Sequence, residues 1–350
     1  MPPPCSRRRR LLLLFLLLLA ARIGGSSNEE EEHAAACAAA NRPDEAFLRP
    51  DRLTVLLTGF SERRLPLLRA IAATYASHPL VLSVVILWCN PATPDHHLLL
   101  LSPFPPRVTL RRVASASLNA RFLPPDPSIL TAAVAVADDD VLPNAAAISL
   151  AFAAWQQHNH HHHQRHPGPL VGLFPRSHHL DLARGRWAYT AADPHRYSMV
   201  LTKFMVLSTA LLYTYSCSPD LAAARAVVDR DGNCEDILMN FVAADASGRG
   251  PVLVEAGTVR DWGDPRNDDD AGEEEEGGEG VKGVGLSGSG GRGHWEKRGA
   301  CVTEFHRLLG RMPLRYSYGK VVQAAAGEQG MCSKGGRLVR CDQQLVAARR

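Results

Sequence analysis

The sequence has no CxxC pair of cysteines and no basic stripe interleaved with aromatic residues. The first absence argues against a structural zinc site, and the second gives nucleic-acid binding little support. The net charge of the 350 residues is only +3, and much of the positive charge lies at the two chain ends. Hydrophobic residues make up 45% of the chain and charged residues 21%. This composition is that of an ordinary globular protein. The length is sufficient for one large α/β domain or two smaller ones.

The N-terminal apolar run Leu11–Ala21 is short for a membrane span, which takes about 20 residues. It follows Arg7–Arg10 and precedes the small residues Gly24–Ser27. This order predicts a cleaved secretory signal peptide in residues 1–25. The strong basic flank also suits a type II signal-anchor, with membrane association through residues 7–22. Both alternatives place the rest of the chain in the secretory lumen.

The secretory lumen permits disulfides, and the sequence contains eight cysteines. Cys5 precedes the apolar run and is not expected to pair. Seven cysteines then remain, so at least one thiol should stay free. The sequence alone leaves their connectivity open.

Alternating strands and helices predict an α/β fold with a mostly parallel central sheet flanked by helices. The predicted strands are Leu53–Thr58, Val81–Trp88, Val108–Val113, the run that ends at Asp138, and Leu170–Phe174. Ser61 is the expected N-cap of a helix through Leu65, Leu68, Ile71 and Tyr75, and Asn144 that of a helix through Trp155.

The chain is divided by composition. Residues 26–50 are acidic and alanine-rich and are interpreted as a stem, residues 51–322 as the folded domain, and residues 323–350 as a tail. Residues 264–293 combine like charges with many glycines, which predicts a flexible acidic loop within the domain. The histidine-rich tract His158–His166 is interpreted as a low-complexity insertion rather than a metal site.

Asp138, Asp139 and Asp140 follow the apolar run Thr131–Ala137. In an open α/β sheet the carboxyl ends of the strands border the ligand site. Carboxylates this close repel one another unless a cation neutralises them, and clustered oxygen ligands suit Mg²⁺ or Mn²⁺ with substrate phosphates completing the shell. The cluster is therefore interpreted as a metal and nucleotide-sugar site, with an acidic surface turn as the alternative.

Two further segments carry candidate chemistry. Glu235 and Asp236 lie in the first turn of a predicted helix, where they complement the helix dipole. Alternatively, one of the two carboxylates projects into a sugar pocket and stabilises positive charge at the anomeric carbon. His294 and Arg298 follow the glycine-rich loop, and Arg suits a departing diphosphate through bidentate hydrogen bonds. An exposed basic helix start is the alternative for that segment.

An ordered series of motifs extends over residues 52–320: Leu53–Leu68, Trp88–Asn90, Ser117–Phe122, Asp138–Asp140, Trp155–Gln157, Val171–Arg176, Tyr197–Leu201, Asn233–Ile237 and Met312–Ser317. With this series the chain resembles the exostosin-like glycosyltransferases of glycosyltransferase family 64, particularly the plant members. The resemblance implies a GT-A type fold, a nucleotide-sugar donor used with Mn²⁺, and retention of the anomeric configuration.

The resemblance also implies roles for single residues. Asp140 would ligate the metal, Asp236 would be the catalytic carboxylate beneath the sugar, and Arg298 would act on the diphosphate as a catalytic residue. Cys234 and Cys301 would form a disulfide. The implied nucleotide-sugar contacts are Arg63, Asn90, Asn119, Arg121, Asp138, Asp139 and His294.

The turn after the first strand departs from the family pattern, in which an arginine commonly reaches the donor. Arg63 is that arginine displaced by one position, or Glu62 occupies its place. The loop of residues 264–293 is also longer and more acidic than expected.

The expected function is a Golgi-lumen transferase that moves an N-acetylhexosamine or a hexose from a UDP-sugar, or alternatively a GDP-sugar, to a glycan or sphingolipid acceptor. Two rival functions stay open: a metal-dependent phosphodiesterase, and a non-catalytic luminal glycan-binding protein with a degenerate GT-A fold.

Overall fold

A computed structural model describes residues 37–38, 44–99, 102–113, 115–122, 129–159, 167–193, 195–263, 291–323 and 331–340. The helices are α1 (Leu65–Ser77), α2 (Asp95–Leu98), α3 (Ala145–Asn159), α4 (Thr209–Cys217), α5 (Ala222–Asp231), α6 (Glu235–Ser247) and α7 (Gly291–Leu309). The strands are β1 (Arg49–Gly59), β2 (Val81–Trp88), β3 (Val108–Arg112), β4 (Thr131–Asp138), β5 (Val141–Pro143), β6 (Val171–Gly172), β7 (Pro175–Asp181), β8 (Arg186–Ala191), β9 (Met199–Val200), β10 (Phe204–Ser208), β11 (Val252–Glu255), β12 (Val259–Asp261), β13 (Lys320–Val322), β14 (Met331–Lys334) and β15 (Arg337–Arg340).

Eight strands form the main sheet in the order β3-β2-β1-β4-β10-β6-β11-β13. Strand β10 runs antiparallel to its neighbours β4 and β6, and the other pairings are parallel. The predicted α/β class with a mostly parallel central sheet is therefore confirmed. Because β1, β2 and β4 are parallel, their carboxyl ends meet at one edge of the sheet.

Both faces of the sheet are covered, so its central strands are apolar on both sides. In β4, Ala133, Ala135 and Ala137 pack on the side of α1 and α3. Val134 and Val136 pack on the opposite side, against α4 to α7. A smaller sheet of order β8-β7-β9 lies beside α7. Helices α6 and α7 carry one half of the site described below, and the other half lies at the carboxyl edge of β4.

Most predicted elements are present, with local differences. Asn144 caps α3 as expected, since its Oδ1 accepts a hydrogen bond from the Ala147 N–H at 2.9 Å. The expectation for Ser61 was wrong: its side chain makes no cap hydrogen bond, and a 3-10 turn (Glu62–Arg64) comes before α1. The strand predicted at Leu170–Phe174 is reduced to Val171–Gly172.

The ends of the domain also differ from expectation. Strand β1 begins at Arg49, inside the predicted stem, and Cys37 of the stem is disulfide-bonded to Cys217. The predicted tail contains the two-stranded ladder of β14 and β15. Residues 1–36, 160–166 and 264–290 lie outside the described residues, and with them the predicted signal segment and nearly all of the histidine tract and of the acidic loop.

Candidate functional site

The acidic cluster lies where β4 ends, at the carboxyl edge of the parallel strands. Asp138 is the last residue of β4, and Asp139 and Asp140 form the turn into β5. Asp139 and Asp140 are 7% and 8% exposed, so their carboxylates have lost most of their hydration. Carboxylates in such a position require nearby positive charge.

Two arginines supply that charge. Arg121 pairs with Asp138, whereas Arg64 contacts both Asp139 Oδ1 and Asp140 Oδ2 at 2.8 Å. Asp139 and Asp140 therefore share one guanidinium. Burial, followed by repulsion from Asp138, raises the pKa of Asp140 to about 6. The ionised form of Asp140 is thus the less stable one unless further positive charge approaches it.

A second turn encloses Asp140. The Trp262 N–H donates a hydrogen bond to the Asp140 carbonyl at 2.8 Å, and Asp261 pairs with Lys203 at 2.5 Å. A Cβ atom on Gly263 would overlap Asp140 Oδ2. Glycine is therefore required at 263 for the turn to lie this close to the carboxylate.

The donor set fits a divalent cation that is bound together with a ligand. No group of three or more His, Cys, Asp and Glu side chains in the described part of the chain converges on one metal position. Asp140 nevertheless offers a buried carboxylate that shares its one guanidinium partner, Arg64, with Asp139. Mn²⁺ and Mg²⁺ are commonly held by one or two carboxylates, with substrate phosphates providing further oxygens.

Asp236 and Arg298 form the other half of the site. Asp236, at the start of α6, is 3% exposed and forms an ion pair with Arg298 of α7, which is 7% exposed. Arg298 also donates from Nη1 to Asn233 Oδ1 at 2.9 Å, and its guanidinium lies 4.5 Å from the ring centre of Tyr189. The Nε–H of Arg298 is buried and has no partner among the described residues. This arginine is therefore fixed in position by Asp236, Asn233 and Tyr189.

A disulfide and a close helix packing hold these two segments together. Cys234 precedes α6 and is bonded to Cys301 of α7, as the resemblance implied. Cys234 has a φ of 76°, in the left-handed region that residues other than glycine seldom adopt. Gly299 lets α7 approach the backbone of β8, since a Cβ at 299 would lie 3.3 Å from the Trp187 oxygen and the Tyr189 nitrogen. Arg298 is thereby placed against Tyr189 of that strand.

Arg121 joins the two halves of the site. It lies in the 3-10 turn Leu118–Phe122, pairs with Asp138, and places its Nε 3.4 Å from Glu235 Oε1. Glu235 is the residue before Asp236, so one buried guanidinium connects the end of β4 to the start of α6. Burial raises the pKa of Glu235 to about 7, opposed by Arg121.

Other residues predicted for the nucleotide pocket have different surroundings. Asn90 caps the end of β2, since its side chain bonds the Phe60 oxygen at 3.2 Å and the Ala92 N–H at 3.0 Å. The Asn119 amide bonds Tyr215, Arg225 and Asp229 at 2.6 to 3.0 Å, which ties its turn to α4 and α5. These contacts are structural, and a nucleotide contact by either residue remains a prediction.

His294 and Arg63 differ in burial and in their contacts with the site. His294 is half-buried, and burial followed by the charge of Arg298 lowers its pKa. Arg63 is exposed, whereas the next residue, Arg64, contacts the acidic cluster. Of the two arginines in this turn, Arg64 is the one that reaches the strand end.

Sequence reasoning missed four residues of the site, Arg64, Tyr189, Lys203 and Asp261, and the contact between Glu235 and Arg121. The turn Glu62–Arg64 contained a signal, because three turn residues in succession cannot all point away from the sheet edge. The sequence around Lys203 and Asp261 contained no such signal. Their pairing depends on β10 and on the short β5–β12 ladder, which bring distant segments of the chain together.

The model of the glycosyl transferase family 64 domain matches residues 53–325, which is most of the chain and includes both halves of the site. The chain belongs to glycosyl transferase family 64. Together with the observed sheet, membership in family 64 supports the GT-A-like fold expected from the sequence.

Three relatives in family 64 illustrate the range of similarity. Glycosyltransferase family protein 64 C3 of Arabidopsis thaliana is 47% identical over 304 residues, which cover 84% of this chain and 87% of that protein. Glucosamine inositolphosphorylceramide transferase 1 of Arabidopsis thaliana is 30% identical over 73% of this chain and 30% of its own length. Exostosin-1 of Mus musculus is 28% identical over 77% of this chain and 33% of its own length. The chain thus spans nearly all of the first relative and about a third of the other two.

Among the helices of the described segments, none combines the length and the apolarity needed to cross a membrane.

Proposed function

We propose that this protein is a retaining, metal-dependent glycosyltransferase that moves an N-acetylhexosamine or a hexose from a nucleotide-sugar donor to a glycan or glycolipid acceptor. The observation that carries the proposal is the buried Asp236–Arg298 pair, connected through Glu235 and Arg121 to the acidic end of β4. A UDP-sugar is the expected donor, with a GDP-sugar as the alternative. The name of one relative includes inositolphosphorylceramide, which supports a sphingolipid among the candidate acceptors.

At the nucleotide end of the site, Asp138 and Asp139 would contact the ribose or base, and Asp140 would hold the cation. Mn²⁺, when bound there, would neutralise negative charge on the diphosphate. Arg64 keeps Asp139 and Asp140 in fixed orientations, because it contacts one oxygen of each. The carboxylates would therefore be ordered before the donor arrives.

At the reaction end, the Arg298 guanidinium would donate to the departing diphosphate. His294 has a lowered pKa, so it would be neutral near pH 7 and donate a hydrogen bond without adding a charge. Asp236 would stabilise positive charge on the sugar ring as its bond to the diphosphate breaks. Arg298 pairs with this carboxylate in a buried position and so fixes its orientation.

The acceptor hydroxyl would attack from the face that the diphosphate leaves, and its proton would pass to a diphosphate oxygen. The new bond then replaces the old one on the same face, and the anomeric configuration is retained. Asp236 is the residue on which this step depends most, because it is the buried carboxylate closest to the phosphate-binding arginine.

The two disulfides in the described residues support folding in an oxidising compartment, in keeping with the secretory lumen. The Golgi lumen is the compartment that we propose.

The test is a screen of UDP- and GDP-sugars with the full chain, with and without Mn²⁺, in which release of the nucleotide diphosphate is measured. Asp236→Asn should abolish turnover and keep donor binding, because it removes a charge without changing shape. Asp245→Asn is a matched control: the same substitution on the same helix, at an exposed carboxylate that pairs with Arg311 at 2.7 Å. It should leave turnover unchanged.

The outcomes separate the candidate functions. Mn²⁺-dependent turnover of one donor that is lost only in Asp236→Asn supports the proposal and identifies the sugar. Equal turnover by Asp236→Asn would refute the role of that residue. Failure of the wild type to bind any nucleotide would favour a non-catalytic protein, and metal-dependent cleavage of phosphodiesters without sugar transfer would favour the hydrolase.

A further inference from the structure

Glu235 is a buried carboxylate that the steps described above do not use. It is 6% exposed, and its Oε1 lies 3.4 Å from Arg121 Nε. The contact is electrostatic rather than an oriented hydrogen bond, because Arg121 Nε has no hydrogen-bond partner within the described structure. The Arg121 guanidinium is thus held between two carboxylates, Glu235 on one side and Asp138 on the other.

Glu235 and Asp236 are consecutive, yet they engage different arginines. Glu235 faces Arg121 of the turn before β4, and Asp236 pairs with Arg298 of α7. Both arginines are at least nine-tenths buried. The first turn of α6 therefore places one carboxylate at the nucleotide end of the site and the next at the reaction end.

A purely local role does not explain the burial of Glu235. An acidic residue in the first turn of a helix is stabilised by the helix dipole, and this benefit is available to an exposed side chain. A buried carboxylate in addition loses its hydration, which costs free energy even when it is paired. The neighbouring charge of Asp236 adds repulsion. A position at which the folded state is destabilised in this way is typical of a functional site.

We propose that Glu235 is a positioning residue that holds Arg121 in place for nucleotide-diphosphate binding and couples this arginine to the helix that carries Asp236. The inference rests on the proposed function. Arg121 has a single charged partner, Asp138, once Glu235 is neutralised. Its guanidinium would then be less restricted, and the nucleotide would bind more weakly while the Asp236–Arg298 pair stays intact.

The experiment measures binding of UDP and of GDP, each with Mn²⁺, to the full chain by calorimetry at about pH 8, where Glu235 is ionised. Glu235→Gln keeps the shape of the side chain and removes its charge. We expect its Kd for the nucleotide that the wild type binds to rise about tenfold, the effect of losing one charged interaction. Glu304→Gln is the control, since Glu304 also pairs with an arginine, Arg230 at 2.9 Å, but on the outer surface. Its Kd should equal that of the wild type.

A double-mutant cycle then tests whether Glu235 acts through Arg121. Arg121→Lys should weaken binding by itself, and Glu235→Gln should add little in that background because the two residues form one unit. In turnover, Glu235→Gln should raise the donor KM more than it lowers kcat, whereas Asp236→Asn should act on kcat. If Glu235 had a merely structural role, Glu235→Gln would lower Tm and would not raise the donor KM selectively over its effect on kcat.

Three results would overturn the inference while the proposed function stands. The first is an equal nucleotide Kd for the wild type and Glu235→Gln, and the second is a double variant whose Kd rises by the product of the two single effects. The third is a Glu235→Gln variant in which kcat falls and the donor KM does not change. If the wild type binds neither nucleotide, the proposed function fails and the inference fails with it. If Glu235→Gln does not fold, Glu235→Asp can be compared with the wild type in the same binding experiment. Its shorter side chain keeps the negative charge but places the carboxylate farther from Arg121.

Discussion

The carboxyl group of Glu235 couples the solution pH to the stability of the fold. Its pKa in the folded chain is raised to about 7, chiefly by burial, with Asp236 raising it further and Arg121 and Arg298 lowering it. A carboxyl group with a raised folded pKa stabilises the protein at low pH, and this contribution is lost as the pH rises from the unfolded pKa through about 7.

We therefore expect Glu235→Gln to equal the wild type in unfolding free energy at about pH 4 and to exceed it at about pH 8 by roughly 1 to 3 kcal/mol. Guanidinium titrations of both proteins at the two pH values measure the difference. The same gap at both pH values would contradict the assignment.

Gly263 lies so close to Asp140 that a Cβ atom at this position would overlap Oδ2. Gly263→Ala should displace the Asp261–Gly263 turn or the carboxylate and weaken Mn²⁺-dependent nucleotide binding about tenfold. Calorimetry with UDP and GDP in Mn²⁺ provides the measurement. Gly319→Ala is the control, because a Cβ there meets no atom within 4 Å. Unaltered metal-dependent binding by Gly263→Ala would show that the turn accommodates the methyl group.

Single residues of the site were predictable only where the sequence placed them beside a recognisable element. Asp138–Asp140 follow a strongly apolar strand, and Asp236 begins a helix, so their positions at element ends could be inferred. Lys203 and Asp261 are 58 residues apart in the sequence and are brought together by strand pairing. Nothing in the local sequence of either residue indicates its partner. Contacts of this kind follow from tertiary structure, which local patterns do not encode.

At the scale of elements, the Cys234–Cys301 disulfide joins the start of α6 to α7 across 67 residues. A cross-link that closes a loop of this length stabilises the fold by about 4 kcal/mol in the chain-entropy model. We expect the Cys234→Ala, Cys301→Ala double variant to lose a comparable free energy of unfolding and to show lower kcat, since Asp236 and Arg298 would be less well fixed. Thermal unfolding and turnover of the same preparation test both effects.

The matched comparison for the disulfide is the Cys37→Ala, Cys217→Ala double variant, which removes the other described disulfide. It should lower stability and leave kcat near the wild-type value, because it lies outside the site. A similar loss of kcat in both double variants would indicate general destabilisation.

Elements with a strong apolar pattern were predicted well, and elements defined by their partners were not. β1, β2 and β4 are long, buried runs, and their positions agree with the sequence expectations to within a few residues. β6 contributes only Val171–Gly172 to its ladders, because the chain leaves the sheet before the predicted end. The 3-10 turn before α1 was also missed, since Ser61 resembles an N-cap in sequence but its side chain makes no cap bond.

At the scale of the whole molecule, residues 311–323 close the domain. Ser317 pairs with Tyr197 through two backbone hydrogen bonds of 2.7 and 3.2 Å, and its hydroxyl bonds the Pro251 oxygen at 2.6 Å. Leu314 is buried in the core, and β13 extends the main sheet. A chain that ends at Gly310 should lose roughly 3 kcal/mol or more of unfolding free energy, from one buried leucine and several hydrogen bonds.

A chain that ends at Gln323 is the control for this truncation, because it keeps β13 and removes only the segment with β14 and β15. Circular dichroism during thermal unfolding distinguishes the two. Equal midpoints would show that residues 311–323 are dispensable.

Because Cys234 and Cys301 lie beside the two residues of the reaction end, completion of the site depends on the redox environment. Thiols in a glutathione-buffered cytosol remain reduced. A chain that has not reached an oxidising lumen would hold Asp236 and Arg298 together without this cross-link, by their ion pair and by the contacts of Arg298 with Asn233 and Tyr189. We therefore expect the chain with reduced Cys234 and Cys301 to turn over its donor more slowly than the oxidised chain.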